Sequence, residues 1–294
     1  MDIFEQISRG IIVCPRTKQK ISVQLETGTI MTFDRKYQYK LLYNKIPILL
    51  DDAHFIDKYV SNSNMAREYE QLPLEEKSII ARLKRRLSSD YRSKSSIKAF
   101  NDIFLNNKDK EDVIFLSIGG GPTRPCHKMI NLNIGPFQNV DIVGDAHLLP
   151  YADNSVDAIY CEAVIEHLYN PVKAVNEIYR VLKKDGEAFV VTPFLQPYHG
   201  YPYHYQNYTL TGHENLFKSA GFKILESGTC VGPMYTIYSI VSSFLNNYLP
   251  SFASFPMRVL WFLLGLFFRP LDLILNKRAN SYIMASTTYL VGKK

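Results

Sequence analysis

Cysteine is scarce and scattered. The four cysteines, Cys14, Cys126, Cys161 and Cys230, form no C-x-x-C pair. That excludes a tetrahedral zinc framework and a disulfide scaffold, and it fits a reducing compartment, expected to be the cytoplasm. Charge of one sign is thin as well. A formal net charge of +6 over 294 residues falls short of the basic stripe that a nucleic-acid-binding domain needs. Long apolar runs are missing: the densest, Val259–Phe268, is bounded by Arg258 and Arg269, well below the roughly 20 residues that span a bilayer. Met1–Gly10 is charged and lacks the apolar core of a signal peptide, so none is expected. What is present is ordinary globular composition, 46% hydrophobic and 21% charged, in a chain long enough for a sizeable core.

The most informative stretch is Val113–Gly121, V-I-F-L-S-I-G-G-G. A strand-like apolar run enters a glycine turn, where the lack of Cβ atoms lets the backbone turn tightly and approach a ligand. A dinucleotide fingerprint, G-x-G-x-x-G, fits badly. Gly119 and Gly121 match, but Arg124 occupies the third glycine position, where close helix–strand packing leaves no room for a side chain.

Strand and helix signals then alternate. Lys128–Ile134 and Val140–Val143 read as strands, the latter running into Gly144-Asp145-Ala146 and Leu148-Leu149-Pro150-Tyr151. Ser155–Cys161 reads as another strand, followed by Val164-Ile165-Glu166-His167-Leu168, a helix over 171–182 and a strand over 187–192. In this order, L-S-I-G-G-G, G-D-A-x-x-L-P-Y, S-V-D-A-I-Y, V-I-E-H-L and E-I-Y-R-V-L-K-K-D-G resemble the class I S-adenosylmethionine-dependent methyltransferases, in the subgroup of the ubiquinone-type enzymes. The resemblance covers roughly residues 113–231. It implies an α/β Rossmann-like sheet, mostly parallel with its last strand antiparallel, and S-adenosylmethionine as cofactor, released as S-adenosylhomocysteine.

Open parallel sheets bind ligands at the carboxyl ends of their strands, which here offer Ser117, Gly119, Gly120, Gly121, Asn133, Asp145, Ala146, His147, Cys161 and Glu162 as the cofactor site. The resemblance implies that the glycine turn passes under the methionine part. It also implies that Asp145 accepts the adenine amine, that the Ala146 backbone meets a ring nitrogen, and that Cys161 and Glu162 flank the methionyl end. Two positions depart from the family pattern. Ser117 stands where an acid usually precedes the glycines, and Asn133 replaces the acid that grips the ribose hydroxyls. An amide still accepts from one hydroxyl and donates to the other, at a cost of about 1 kcal/mol against a charged partner.

The stretch Thr192–Thr209 carries five tyrosines and two histidines. A loop so rich in rings and proton-transfer groups beside the cofactor is the expected acceptor pocket. Its P-F-L-Q-P-Y-H-G run is similar to methyltransferases encoded among polysaccharide genes, which implies a small-molecule or sugar hydroxyl acceptor. Such a hydroxyl must lose its proton, and histidine suits that role near neutrality. His199 and His204 are the candidate bases, His167 is a third, and Tyr198, Tyr203 and Tyr205 would hold the acceptor. The N-P-P-Y signature of amine methylation is absent after Tyr160.

The remainder divides into a β-rich N-terminal module (1–52), a helical connector or lid (53–110) and the main domain (111–294). C-P-x-T near Cys14 and N-x-I-P-I-L-L at 44–50 are similar to a small zinc-ribbon-like module whose relatives activate tRNA and release-factor methyltransferases. With Thr17 at the second cysteine position, four zinc ligands cannot be assembled, and a metal-free remnant is expected. The connector carries helical patterns over 65–71, 73–87 and 95–105, with the basic run Arg82, Lys84, Arg85 and Arg86. An apolar insertion, 233–279, interrupts the main domain before a last strand expected over 282–292. Its 255–275 segment would lie in a membrane interface, cover the acceptor pocket or form a homodimer contact. Two alternatives stand beside the enzyme: a tRNA- or protein-directed modification partner and a non-catalytic cofactor-binding scaffold.

Overall fold

The computed structural model describes residues 2–43, 45–50, 90–121, 123–200 and 203–294. The expected helices over 65–71 and 73–87, with their basic run, lie outside the described residues.

At the N-terminus a short helix, α1 (Ile3–Arg9), starts on the Asp2 side chain, which accepts the Glu5 N–H, and stops at Gly10 in the left-handed conformation. Four strands follow as an antiparallel meander: β1 (Ile21–Gln24), β2 (Thr29–Thr32), β3 (Gln38–Leu42) and β4 (Ile46–Leu49). The helix and β3 were not expected from the sequence, because each is too short to show a clear periodicity. After α2 (Lys94–Phe100), the apolar runs become the parallel strands β5 (Phe115–Ile118), β6 (Met129–Asn133), β7 (Ile142–Gly144) and β8 (Val156–Glu162).

The helix α3 (Pro171–Val181) shows why this region folds as it does. Asn170 accepts the Lys173 N–H, Pro171 opens the first turn, and Ala174, Val175, Ile178 and Val181 form the buried stripe. Then come β9 (Leu182–Pro193), α4 (Leu210–Ser219), β10 (Lys223–Val231), α5 (Pro233–Asn247), α6 (Ser251–Phe268) and β11 (Thr287–Lys293). The last strand begins later than the expected 282, because 281–284 is a 3-10 turn.

The strands form one sheet in the order β1-β2-β3-β4-β7-β6-β5-β8-β9-β11-β10. From β7 to β9 the neighbours are parallel, and β11 enters antiparallel between β9 and β10. β4 pairs in parallel with β7 through Ile48–Val143 and Leu49–Gly144, so the N-terminal strands extend the main sheet. Alternate side chains divide into two cores. Leu116, Ile118, Ile159, Val190 and Leu290 pack with α3 and α4 on one face. Phe115, Tyr160, Phe189 and Tyr289 pack with α2 on the other.

Candidate active site

The strand order reverses at β5, between β6 and β8, and ligands of open α/β sheets bind at such a switch point. β5 ends in Ser117-Ile118, and Gly119 and Gly121 both have positive φ, 71° and 55°, values at which a Cβ is strained. A Cβ on Gly119 would also collide with the Val164 methyls, whereas one on Gly121 would meet only open space. The turn is therefore walled by Val164 on one side and open on the other. Arg124, which spoiled the dinucleotide fingerprint, braces the adjoining loop. Its guanidinium meets Asp141 at 2.8 Å and also donates to the carbonyls of Met129 and Asn139.

The fit to S-adenosylmethionine can be judged from polar groups whose hydrogen-bonding capacity is unspent. Among the described residues, Ser117 Oγ is buried without a partner, and the Asn133 side chain, at the end of β6, accepts a long 3.5 Å bond from the Gly135 N–H. Asp145 follows β7. One of its oxygens accepts the His147 N–H at 2.9 Å and bonds the His147 ring at 2.7 Å. Burial works to raise this carboxyl, and the two His147 bonds outweigh it, so it sits below the usual carboxylate range. His147 is thereby a positioning residue rather than an exposed contact. Its other nitrogen accepts the Asn170 N–H, and its ring stacks on Tyr169 at 4.2 Å. Ala146 is buried in the 3-10 turn that Asp145 caps. These residues fit a ligand carrying hydroxyls and an exocyclic amine.

Beyond β8 the picture differs from the expectation in two respects. The Cys161 thiol points into the core, and burial pushes its pKa far up. Glu162 is engaged by the Arg92 guanidinium and the Tyr160 hydroxyl. Arg92 had no local signal in the sequence. It reaches Glu162 because residue 92 bridges to Val231 at the sheet's far edge.

The three candidate histidines come together. Ring centroids of His199 and His204 lie 4.3 Å apart, those of His167 and His199 5.3 Å, and those of His167 and His204 5.7 Å. Beneath them sits Glu166, fully buried, and among the described residues neither carboxylate oxygen has a hydrogen-bond partner. One of those oxygens is 3.7 Å from Nε2 of both His167 and His199. The sequence reading passed over Glu166, although E-H-L placed it directly beside His167.

Hydrogen bonds assign one state to His167 and His199 and another to His204. His167 Nδ1 meets the Tyr203 carbonyl at 2.6 Å and His199 Nδ1 meets the Pro197 carbonyl at 3.0 Å. Both must donate there, which leaves each Nε2 directed at the carboxylate. His204 is fully engaged: Nδ1 accepts the His199 N–H, so Nε2 carries the proton and donates to Asn207 Oδ1 at 2.6 Å. That bonding occupies both ring nitrogens of His204 and makes it a support for His199. The Glu166 carboxylate raises the His199 pKa, overcoming partial burial. One ligand atom from each of Glu166, His167 and His199 lies within 4.8 Å of the others, the spacing that a metal ion would require.

The loop is stitched to this turn. The Tyr205 N–H donates to the Glu166 carbonyl at 2.8 Å, and the Gln206 amide donates to the carbonyls of Ile165 and Leu168. Tyr198, Tyr203 and Tyr205 remain at least half exposed, their rings available to a ligand.

Comparison with known proteins adds to this geometry. Residues 124–190 match the family model described as a methyltransferase domain. The chain is 39% identical over 72 residues to the demethylmenaquinone methyltransferase of Renibacterium salmoninarum, covering 24% of this chain and 30% of that protein. It is 35% identical over 80 residues to a ubiquinone/menaquinone biosynthesis C-methyltransferase of Klebsiella pneumoniae, covering 24% and 32%. The chain thus spans about a third of the length of these relatives. Among solved structures, the Haemonchus contortus phosphoethanolamine N-methyltransferase 2 bound to S-adenosyl-L-methionine overlaps with a TM-score of 0.41 at 14% identity, over 82% of this chain and 59% of that one. Those overlaps are partial, and the strand order is the firmer ground. With the order β7-β6-β5-β8-β9-β11-β10 and the matched segment, this is the class I methyltransferase fold.

Proposed function

We propose that the chain is an S-adenosylmethionine-dependent methyltransferase acting on a hydroxyl of a small molecule or sugar. The observation that carries this reading is the contact between Gly119 and Val164. It sets the glycine turn directly against the segment that bears Glu166 and His167, so the cofactor cradle and the histidine cluster share a wall.

When bound, the cofactor supplies an activated methyl group on a sulfonium. The chain's own residues then have two tasks. Asp145, Asn133 and the Gly119–Gly121 turn hold the cofactor's polar groups, and the Tyr198–Tyr205 loop aligns the acceptor, since alignment accounts for much of the rate in a displacement of this kind. His199 takes the acceptor proton on Nε2, and the buried Glu166 carboxylate stabilises the imidazolium that results. His167, with the same free Nε2, is the second proton acceptor within reach. The two relatives named above are C-methyltransferases or quinone-precursor methyltransferases by description, and analysis of a methylated product distinguishes carbon from oxygen as the acceptor.

Calorimetric titration with S-adenosylmethionine and S-adenosylhomocysteine tests the reading. Wild type is expected to bind both, and Asp145→Ala to bind at least about tenfold more weakly, the loss of one charged hydrogen bond. His199→Ala is expected to keep cofactor affinity and lose turnover. No binding of either ligand by wild type would sink the enzyme and leave a scaffold.

A further inference from the structure

The hairpin α5–α6 carries its apolar residues on the wrong side for a soluble protein. Its inner seam is narrow. Tyr238 stacks near Trp261 at 6.1 Å, Trp261 meets Phe268 at 5.2 Å, and the Trp261 indole donates to the Tyr238 carbonyl. Only Ser254 and Gly265 of α6 are buried. The outward stripe runs along one helix face, through Phe252, Leu260, Leu263 and Phe267, and continues to Leu271 and Ile274. Phe252 and Phe267 are 84% and 81% exposed. Contiguous apolar surface of this kind marks a docking site.

Its charges name the occupant. Between residues 233 and 286 the single acid is Asp272. It is buried, accepting the N–H groups of Met234 and Tyr235. The exposed charges are Arg258, Lys277 and Arg278, all positive. A second copy would set these cations against one another across a two-fold contact, whereas an anionic lipid surface complements them. No helix among the described residues is long and apolar enough to cross a membrane, so a hairpin docked on a bilayer would lie in the interface plane.

We propose that α5–α6 docks this protein on an anionic bilayer with the acceptor loop at the headgroup layer. The geometry ties the two together. β9 and β10 end side by side on Thr287, through Pro193 and Val231. Ser286 then joins both: its N–H donates to the Val231 carbonyl, its carbonyl accepts the Phe194 N–H, and its hydroxyl accepts from the Gln196 amide. The hairpin and the tyrosine–histidine loop thus spring from one root. Docking itself does not rest on methyl transfer; the consequence for the acceptor, a hydroxyl presented at a lipid surface, rests on that reading.

The test is co-sedimentation of the full chain with vesicles of phosphatidylcholine alone and of phosphatidylcholine with phosphatidylglycerol, without cofactor. The expected result is binding to the anionic vesicles and weaker binding to phosphatidylcholine alone. Phe252→Ser/Leu263→Ser/Phe267→Ser should weaken partitioning at least about tenfold while thermal unfolding stays near that of wild type. Arg258→Glu/Lys277→Glu should weaken it on anionic vesicles. Wild type left in the supernatant, unchanged binding by the triple serine variant, or a stable dimer that the serine variant dissociates would each overturn docking. Because no cofactor is present, failure here leaves the calorimetric test untouched, and failure there leaves this one standing.

Discussion

The helices α3 and α6 carry comparable apolar side chains and use them in opposite ways. In α3, Val175, Ile178 and Val181 are buried against the sheet. In α6, Leu260, Leu263 and Phe267 face outward, and the buried positions are a serine and a glycine. The difference teaches that apolar content does not say where a helix turns its face. What decides is whether polar residues are available to cover the other side, and α3 has Lys173, Glu177 and Arg180 where α6 has almost none.

The comparison can be pressed first on a polar group that sits inside. His213, on the buried side of α4, bonds Thr288 through Nδ1, and burial lowers its pKa to about 3. An unfolded chain binds this proton below about 6.5, and the folded chain refuses it until about 3. Stability therefore falls as pH drops through that window, on the order of 5 kcal/mol if the whole of it is traversed. Urea midpoints measured from pH 7 to 4 should show the slope, and His213→Gln should flatten it. Ile178→Ala comes next, with an expected loss of about 3 kcal/mol from the cavity it leaves under α3. An unchanged midpoint would mean that this face is not the core.

A buried charge sharpens the contrast further. Glu166 raises the His199 pKa, and His199 must be deprotonated to act as a base, so activity should rise through that raised value as pH increases. Glu166→Gln should move the acidic limb of the rate profile to lower pH. The linked stability has the opposite course: the His199–Glu166 attraction is complete below the unfolded value of 6.5 and is lost as pH rises through the folded one. The smallest expected effect is Leu263→Ala, under about 0.5 kcal/mol in stability, with its cost appearing in vesicle binding instead. A loss matching Ile178→Ala would show that α6 is a core helix after all.

The strands from β5 to β9 were legible because each is a short apolar run bounded by glycine, proline or a polar turn. The glycine turn and the histidines could be named from the residues themselves, and Asp145 through the family resemblance. Arg92 on Glu162, Arg124 on Asp141 and β4 beside β7 could not, since each joins elements far apart in the chain and leaves no periodic trace. Glu166 illustrates a subtler gap. A carboxylate beside histidine is written in the sequence, but that it is buried and unpartnered follows only from how Tyr205 and Gln206 close over the 164–168 turn. For α6 the ten-residue run Val259–Phe268 was visible. Its extension back to Ser251 was not, because Pro256 and Arg258 interrupt the apolar pattern.

One pairing carries a consequence in time. Among the described strands β10 pairs only with β11, apart from the bridge between Arg92 and Val231, and β11 links it to β9. A ribosome makes β10 and the whole apolar hairpin before it makes β11. Until that strand emerges, β10 lacks the partner that ties it to β9, and the apolar hairpin is more open to a membrane or a chaperone. The insertion of β11 is thus the step that makes the apolar arm a fixed part of the sheet's architecture.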